Sequence, residues 1–123
     1  MKNIAIKENH LYNKAYRRGK SYVGKYIAVY VLRDLAAERL ARENPEKVRV
    51  NRLGIAVSKK LGCAVVRNRA KRMIRAAYDA HKSRLKVGNL IVISARGASV
   101  GKKSTDLSRE LERAFTNLSM FTD

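Results

Sequence analysis

The stretch RLGIAVSKKLGCAVVRNRAKRMIRAAY, residues 52–78, changes its hydrophobic period partway along. Its first residues alternate between bulky apolar and small side chains, a pattern typical of a half-buried strand. Beyond Gly62, apolar residues recur three and four positions apart, as on one face of a helix. We therefore predict a strand from Val50 to Ser58, and a helix that begins at Gly62 and continues to about Arg84.

The predicted helix has two unlike faces. At 100° per residue, its apolar side is formed by Val66, Ala70, Met73, Ile74, Ala77 and His81. The opposite side carries Arg67, Asn68, Lys71, Arg72, Arg75 and Lys82, with Arg69 at the boundary and no carboxylate before Asp79. A merely solvated face would gain from pairs of opposite charge four residues apart, and this face has none before Asp79. Such a single-sign face indicates a contact with nucleic acid.

The remaining segments complete an alternating order of elements. A first helix is predicted over Asn9–Arg18, because two arginines and a glycine suit its C-terminal end. Aromatic and β-branched residues predict a strand over Lys25–Leu32 and another, well buried, over Leu90–Ala95. A final amphipathic helix is predicted from about Thr105 to Leu118. The order α-β-β-α-β-α predicts an α/β sandwich of two layers, with helices packed on a small sheet.

The composition restricts the class of protein. The 123 residues fit a single domain (1–123), and 28 Lys and Arg against 10 Asp and Glu give a formal charge of +18. A compact domain with that charge repels itself, so we expect a polyanionic partner, nucleic acid before an anionic membrane. No apolar run reaches the roughly 20 residues of a membrane-spanning helix, and the first residues lack the apolar stretch of a signal peptide. A single cysteine excludes an internal disulfide and fits a reducing cytoplasm.

Residues 34–49 are polar, of mixed charge, and contain the only proline of the chain. We interpret this segment mainly as a solvated connection within the domain, with a short helical turn over 35–42 as an alternative. We assign it no role.

Tyrosines are predicted to form a second surface. Tyr26 and Tyr30 alternate with bulky aliphatic residues along their strand and are therefore expected on its other face. Tyr12 and Tyr16, four residues apart on the first helix, extend that surface. Unpaired bases stack on such rings with a gain of about 1–3 kcal/mol each. The alternative is that these tyrosines only pack against the domain.

One motif resembles the signature of the bacterial ribonuclease P protein family. It consists of Ser58-Lys59-Lys60, Gly62, Arg67-Asn68-Arg69-Ala70-Lys71-Arg72 and Arg75. The resemblance extends from the opening helix with its paired aromatics to the closing amphipathic helix. This chain departs from the family pattern in two places. Phenylalanine is frequent in the family at the positions of Tyr12 and Tyr16, and the 34–49 connection of this chain is long.

The resemblance implies a left-handed βαβ crossover through the Arg-Asn-Arg helix, although right-handed crossovers are the general rule. It also implies a subunit of a ribonucleoprotein endonuclease, a hydrolase that removes 5′ leaders from precursor tRNA. In that family a large RNA is the catalyst and uses magnesium, and the protein promotes tRNA processing at low magnesium. We expect the protein alone to be monomeric and cytoplasmic, with no catalytic residue, metal site or cofactor of its own.

The same resemblance implies roles for individual residues. Contacts with the catalytic RNA are expected from Lys59, Lys60, Arg67, Asn68, Arg69, Lys71, Arg72 and Arg75. The single-stranded leader of precursor tRNA is expected in a cleft formed by the first helix, the sheet face and part of the basic helix. This cleft is lined by Tyr12, Tyr16 and Tyr30. Strand alternation places Tyr26 with these three.

Other functions have less support in the sequence. His10 and His81 lack partners at metal-ligand spacing, and we expect His81 to be packed and His10 exposed. Cys63 lacks a nucleophile motif and is expected to be a buried thiol. Residues 97–103 depart from the order of a phosphate-binding loop and are expected to form a turn. The alternative function is a structural RNA-binding protein of another ribonucleoprotein, such as the ribosome.

Overall fold

The helices and strands form a mixed α/β sandwich, as predicted from their order along the chain. The structure is a computed structural model and describes residues 4–122. Its strands are β1 (Ile4–Ala5), β2 (Lys20–Val23), β3 (Ile27–Arg33), β4 (Arg52–Ala56) and β5 (Asn89–Ala95). Its helices are α1 (Asn9–Arg18), α2 (Ala37–Glu43), α3 (Ala64–Asp79) and α4 (Ser104–Asn117), with short 3-10 turns at Lys59–Leu61, Lys82–Arg84 and Gly97–Ser99.

The five strands form one sheet in the order β1-β4-β5-β3-β2. β3 is antiparallel to both of its neighbours, whereas β4 is parallel to β5 and to β1. Because β4 and β5 are parallel and adjacent, α3 is the crossover of a βαβ unit. The left hand expected for this crossover stays a prediction. The ends of β4 and β5 and the beginning of β3 meet at one end of the sheet, where α3 also begins.

The two faces of the sheet have separate cores. On one face, β3 and β5 pack against α3 and α4 through Ile27, Val29, Val31, Ile74, Ile91, Ile93, Leu107, Leu111 and Phe115. On the other face, Leu90 and Val92 of β5 pack against Ala15 of α1 and Ile6. Because side chains alternate between the two faces of a strand, β3 and β5 contribute residues to both cores. Helix α1 covers part of the second face and adds a partial third layer to the two predicted.

Strands β1 and β2 were not predicted. β1 has two residues and joins the sheet through backbone pairing with Arg52 and Leu53 of β4. β2 is an edge strand with mostly exposed side chains, so it lacks the alternation that marks a half-buried strand.

The long predicted helix ends earlier than expected. α3 starts at Ala64, after Gly62 with a φ of 141°, and stops at Asp79, before a 3-10 turn. The positive φ of Gly62 lies outside the helical region, which is why the glycine precedes the helix instead of opening it. By contrast, α1 has the predicted bounds, and α4 is shifted by one residue.

The 34–49 segment is more ordered than the solvated connection we expected. α2 occupies its middle, and its first residue, Asp34, is buried. The Asp34 carboxylate accepts hydrogen bonds from Nε and Nη2 of Arg52, at 2.7 and 2.8 Å. This buried ion pair attaches the beginning of the segment to β4.

Candidate nucleic-acid interface

The two predicted faces of α3 are confirmed. Ala70, Ile74, Ala77 and Tyr78 are buried, whereas Asn68, Arg69, Arg72 and Arg75 are exposed and Arg67 and Lys71 are half-buried. The one carboxylate of the helix is its last residue, Asp79. Sequence reasoning missed Tyr78, because it lies beside the predicted apolar stripe. The exposed side of α3 is a continuous positive surface.

Lys59 and Lys60 extend this surface beyond the beginning of α3. Both are exposed on the 3-10 turn between β4 and α3. Ser58 fixes the turn, since its Oγ accepts a hydrogen bond from the Lys60 N–H at 3.2 Å. Only a short loop separates the turn from α3, so the two lysines lie at the N-terminal end of the helix.

Arg67 presents an unsatisfied donor. Its Nε is buried and has no hydrogen-bond partner among residues 4–122. A buried donor without an acceptor costs about 1–3 kcal/mol. Because this atom is buried, a ligand oxygen would reach it only if the Arg67 side chain changed its conformation.

Three of the four predicted tyrosines lie together between α1 and the sheet. The Tyr16 ring meets the Tyr30 ring edge to face, with centroids 4.9 Å apart, and Tyr16 remains 39% exposed. Tyr12 lies one helical turn before Tyr16, with the tip of its ring over Gly54 of β4. A Cβ on Gly54 would be 2.6 Å from Cζ and Oη of Tyr12, so this close approach requires glycine.

The hydroxyls of Tyr12 and Tyr16 are neutral at physiological pH. Burial raises the pKa of Tyr12. Burial also raises the pKa of Tyr16, and interactions with Tyr30 and Tyr12 raise it further. A neutral phenol can both donate and accept a hydrogen bond at a base edge or a ribose.

A cavity of about 320 Å³ lies between Tyr12 and the basic helix. It is lined by Ala5, Ile6, Tyr12, Leu53, Ile55, Lys71, Arg75 and Asp79. The floor is apolar, and one wall carries the Tyr12 ring from α1. The other wall carries two cations, Lys71 and Arg75, and one carboxylate, Asp79, from α3. The composition suits a nucleotide, whose base needs an apolar or aromatic surface and whose phosphate needs a cation. The sequence did not reveal the floor residues, because they are distant along the chain and resemble ordinary core positions.

Tyr26 lies apart from the other three tyrosines, and its predicted placement with them is wrong. β3 begins only at Ile27, after a turn in which the Gly24 N–H donates to the Ile27 carbonyl at 2.9 Å. Strand alternation therefore does not extend to Tyr26. Its ring packs against the core on the α3–α4 face of the sheet.

The remaining titratable candidates do not form a catalytic cluster. Cys63 is exposed, contrary to the buried thiol we expected, because it sits at the N-cap of α3. The N–H groups of Val66 and then Val65 lower the pKa of this thiol. His81 is buried as predicted, with Nε2 2.9 Å from Oγ of Ser108, and His10 is exposed. Within residues 4–122 no three His, Cys, Asp or Glu side chains are grouped as metal ligands, and no helix there is long and apolar enough to cross a membrane.

Comparison with known proteins identifies one family. A family model described as Ribonuclease P matches residues 1–119. The ribonuclease P protein component of Clostridium acetobutylicum is 36% identical over 115 residues, which cover 94% of this chain and 88% of the relative. That of Clostridium novyi is 37% identical over 117 residues, covering 95% and 91%.

Solved structures agree with the sequence comparisons. The RNase P protein of Staphylococcus aureus superposes with a TM-score of 0.76 at 30% identity, covering 98% of this chain and 100% of that one. The RNase P protein of Thermotoga maritima, in complex with 1-(4-fluorophenyl)-2-thiourea, gives a TM-score of 0.55 at 27% identity, covering 83% and 77%. Fold and sequence therefore point to the same family.

Proposed function

The chain belongs to the ribonuclease P protein family, and from this premise we propose how it acts on RNA. It is the protein subunit of ribonuclease P, a tRNA-processing ribonucleoprotein, and its partner is the RNA of that enzyme. We propose that it binds this RNA and the single-stranded 5′ leader of precursor tRNA, and so promotes 5′ maturation at low magnesium. The RNA is the catalyst, and the protein supplies binding surfaces.

The exposed side of α3 is the proposed contact with the catalytic RNA. Lys59, Lys60, Arg67, Asn68, Arg69 and Arg72 face solvent or lie half-buried beside it. Arginine presents a planar fork that matches phosphate oxygens, and each neutralised phosphate releases counterions.

The cavity between α1, β4 and α3 is the proposed site of the leader, and it is the observation that carries the proposal. Tyr12 offers a ring, and Lys71 and Arg75 offer charges on the opposite wall. Tyr16 and Tyr30 continue the aromatic surface beyond the cavity. A strand of unpaired nucleotides can thus stack its bases on tyrosine while its phosphates approach α3. Mature tRNA lacks the leader and would leave this surface empty.

Magnesium is proposed to act on the RNA side of the holoenzyme. The carboxylate that lines the cavity, Asp79, has its Oδ1 3.4 Å from Nζ of Lys82. A single carboxylate in an ion pair is a poor donor set for a magnesium site made of protein alone, whereas RNA phosphates are suitable ligands. We propose further that the protein alone is monomeric and acts in the cytoplasm.

The direct test is cleavage of precursor tRNA at low magnesium by the cognate ribonuclease P RNA, with and without this protein. We expect strong stimulation by the protein, and no cleavage by the protein alone. Failure to stimulate, despite salt-dependent RNA binding, would indicate a structural role in another ribonucleoprotein. Cleavage by the protein alone would contradict the assignment of catalysis to the RNA.

A further inference from the structure

Cations gather at a second place, at the end of the sheet where β3 begins and β5 ends. The Nζ atoms of Lys25 and Lys102 lie 5.7 and 5.4 Å from the centre of the Tyr26 ring. Nη1 of Arg96 donates a hydrogen bond to the carbonyl of Gly24 at 3.0 Å. The β3–β5 register, with Ile27 opposite Ala95, brings these two segments together. Two ammonium groups thus lie over one aromatic ring, and a guanidinium group contacts the turn that precedes it.

The surroundings of this cluster are poor in negative charge. Neither 20–33 nor 94–105 contains an aspartate or a glutamate. One buried carboxylate, that of Glu110 in α4, lies beside the cluster and accepts a hydrogen bond from the Tyr26 N–H at 3.0 Å. It also accepts one from the Ile27 N–H at 3.4 Å, so its role is to fix the turn. Three cations and one carboxylate leave the cluster positive.

A groove connects this cluster with the basic helix. The groove has a volume of about 280 Å³, and its lining includes Val65 and Arg69 from α3 and Val100 and Lys102 from the loop before α4. Lys102 belongs to both the groove and the Tyr26 cluster. A polyanion bound along α3 at Arg69 can therefore continue through the groove to the second cluster.

We propose that Lys25 and Lys102, which lie over Tyr26, and Arg96, which contacts the turn before β3, form a second contact for the backbone of the ribonuclease P RNA. This inference rests on the proposed function, because it takes that RNA as the partner. The cluster packs on the α3–α4 face of the sheet, whereas the cavity for the leader includes Tyr12 from α1. Its groove leads instead to Arg69 on the exposed side of α3. Interaction with the Tyr26 ring holds the two ammonium groups in place before RNA arrives.

The test is the affinity of the full-length protein for ribonuclease P RNA over a series of salt concentrations, with the variant Lys25→Gln/Lys102→Gln. We expect binding weakened by about tenfold at moderate salt, and a slope of log K against log salt that is smaller by about 1–2. The matched control is Lys47→Gln/Lys86→Gln, which removes the same charge from two exposed lysines outside this cluster. We expect the control to bind within about twofold of the unsubstituted protein, because distant charges are screened.

Two results would overturn the inference. One is an unchanged affinity and salt slope in the Lys25→Gln/Lys102→Gln variant. The other is normal binding of the RNA subunit with weakened binding of precursor tRNA by the assembled holoenzyme, which would assign the cluster to the tRNA. If the proposed function itself were wrong, the result would differ from both of these, because the unsubstituted protein would then fail to stimulate cleavage.

Discussion

At the scale of single residues, Gly54 decides how Tyr12 lies on the sheet. Its missing Cβ leaves the space that the ring tip of Tyr12 occupies. Gly54→Ala should push this ring out of the cavity and weaken binding of precursor tRNA to the holoenzyme by about tenfold, the order of one lost stacking contact. Affinity for the RNA subunit should stay unchanged. The two affinities are measured on the same preparation.

Gly97→Ala is the control for this variant. A Cβ on Gly97 meets no atom within 4 Å, so the same chemical change is expected to leave both affinities unaltered. Equal precursor affinity for Gly54→Ala and Gly97→Ala would show that the position of Tyr12 does not matter for the leader.

Tyr78 gives the protein a defined sensitivity to alkaline pH. Burial raises the pKa of Tyr78 to about 12, with a smaller opposing effect of Asn51. The folded state then holds this proton more tightly than the unfolded state, whose tyrosine titrates near 10. The contribution to stability is therefore complete below about pH 10 and is lost as pH rises toward 12.

Comparison with the Tyr78→Phe variant tests whether the stabilisation by Tyr78 is lost at alkaline pH. Between pH 8 and pH 11, the free energy of unfolding of the unsubstituted protein should fall by about 1 kcal/mol more than that of Tyr78→Phe. The measurement is urea denaturation at both pH values. A steeper fall in the phenylalanine variant would contradict the account.

At the scale of elements, a buried ion pair joins the α2 segment to the sheet. Asp34 and Arg52 are both buried, and Glu8 adds a longer contact to Arg52 at 3.6 Å. Asp34→Asn leaves the guanidinium with only its longer contact to Glu8, so we expect a loss of about 3 kcal/mol in the free energy of unfolding at pH 7. The exposed pair between Arg49 and Glu38 is the control, and Glu38→Gln should cost less than about 1 kcal/mol.

The ion pair of Asp34 and Arg52 also makes the stability of the protein depend on pH in the acid range. Burial by itself would raise the pKa of Asp34, but hydrogen bonds from Arg52 and the Ala36 N–H, and the charge of Arg52, lower it overall. The stabilisation is therefore present above the ordinary value of 3.8 and is lost as pH falls through the lower pKa of the folded state. Asp34→Asn should flatten this part of the acid-unfolding curve. An unchanged curve would contradict the role of the pair.

The sequence predicts those elements that bury a periodic face. α3 follows from its apolar spacing and charges, and β3 and β5 follow from their β-branched residues. α1 follows instead from the arginines and the glycine at its C-terminal end. β1 and β2 could not be found this way, because backbone pairing with β4 and β3 holds them in the sheet. Tyr26 was misplaced for a related reason. The turn before β3 is fixed by Glu110, 84 residues away, which no local pattern reveals.

The residues alone predict the candidate site as two surfaces, and only the family resemblance joins them in one cleft. Spacing identifies the cations of α3 and the tyrosines of α1, since each set lies on one element. The positions of Lys71 and Arg75 opposite Tyr12 depend on how α3 crosses the sheet relative to α1. Gly54 and the apolar floor depend on the same packing. The family resemblance implies that part of the basic helix lines the cleft, but it assigns Lys71 and Arg75 to the RNA-contacting set, whereas the structure places both in the cavity.

At the scale of the whole molecule, α3 is expected to bind two ligands, the RNA subunit and the leader, through different sides of the helix. Arg67, Arg69 and Arg72 do not line the cavity, whereas Lys71 and Arg75 do. Replacing the first three together by alanine should weaken assembly with the RNA subunit and flatten its salt dependence, by a slope of about 1 for each lost phosphate contact. The readout is a salt series of RNA affinities. A salt slope equal to that of the unsubstituted protein would contradict this role of α3.

The central claim is that the tyrosines between α1 and the sheet bind the leader. The most direct measurement compares the affinities of the assembled holoenzyme for tRNA with and without a 5′ leader, using the unsubstituted protein and Tyr16→Ala/Tyr30→Ala. We predict that the variant assembles normally and loses most of the preference for the tRNA with a leader, because the two rings form the exposed aromatic surface. A variant that keeps the full preference, or that loses assembly and preference equally, would contradict the claim.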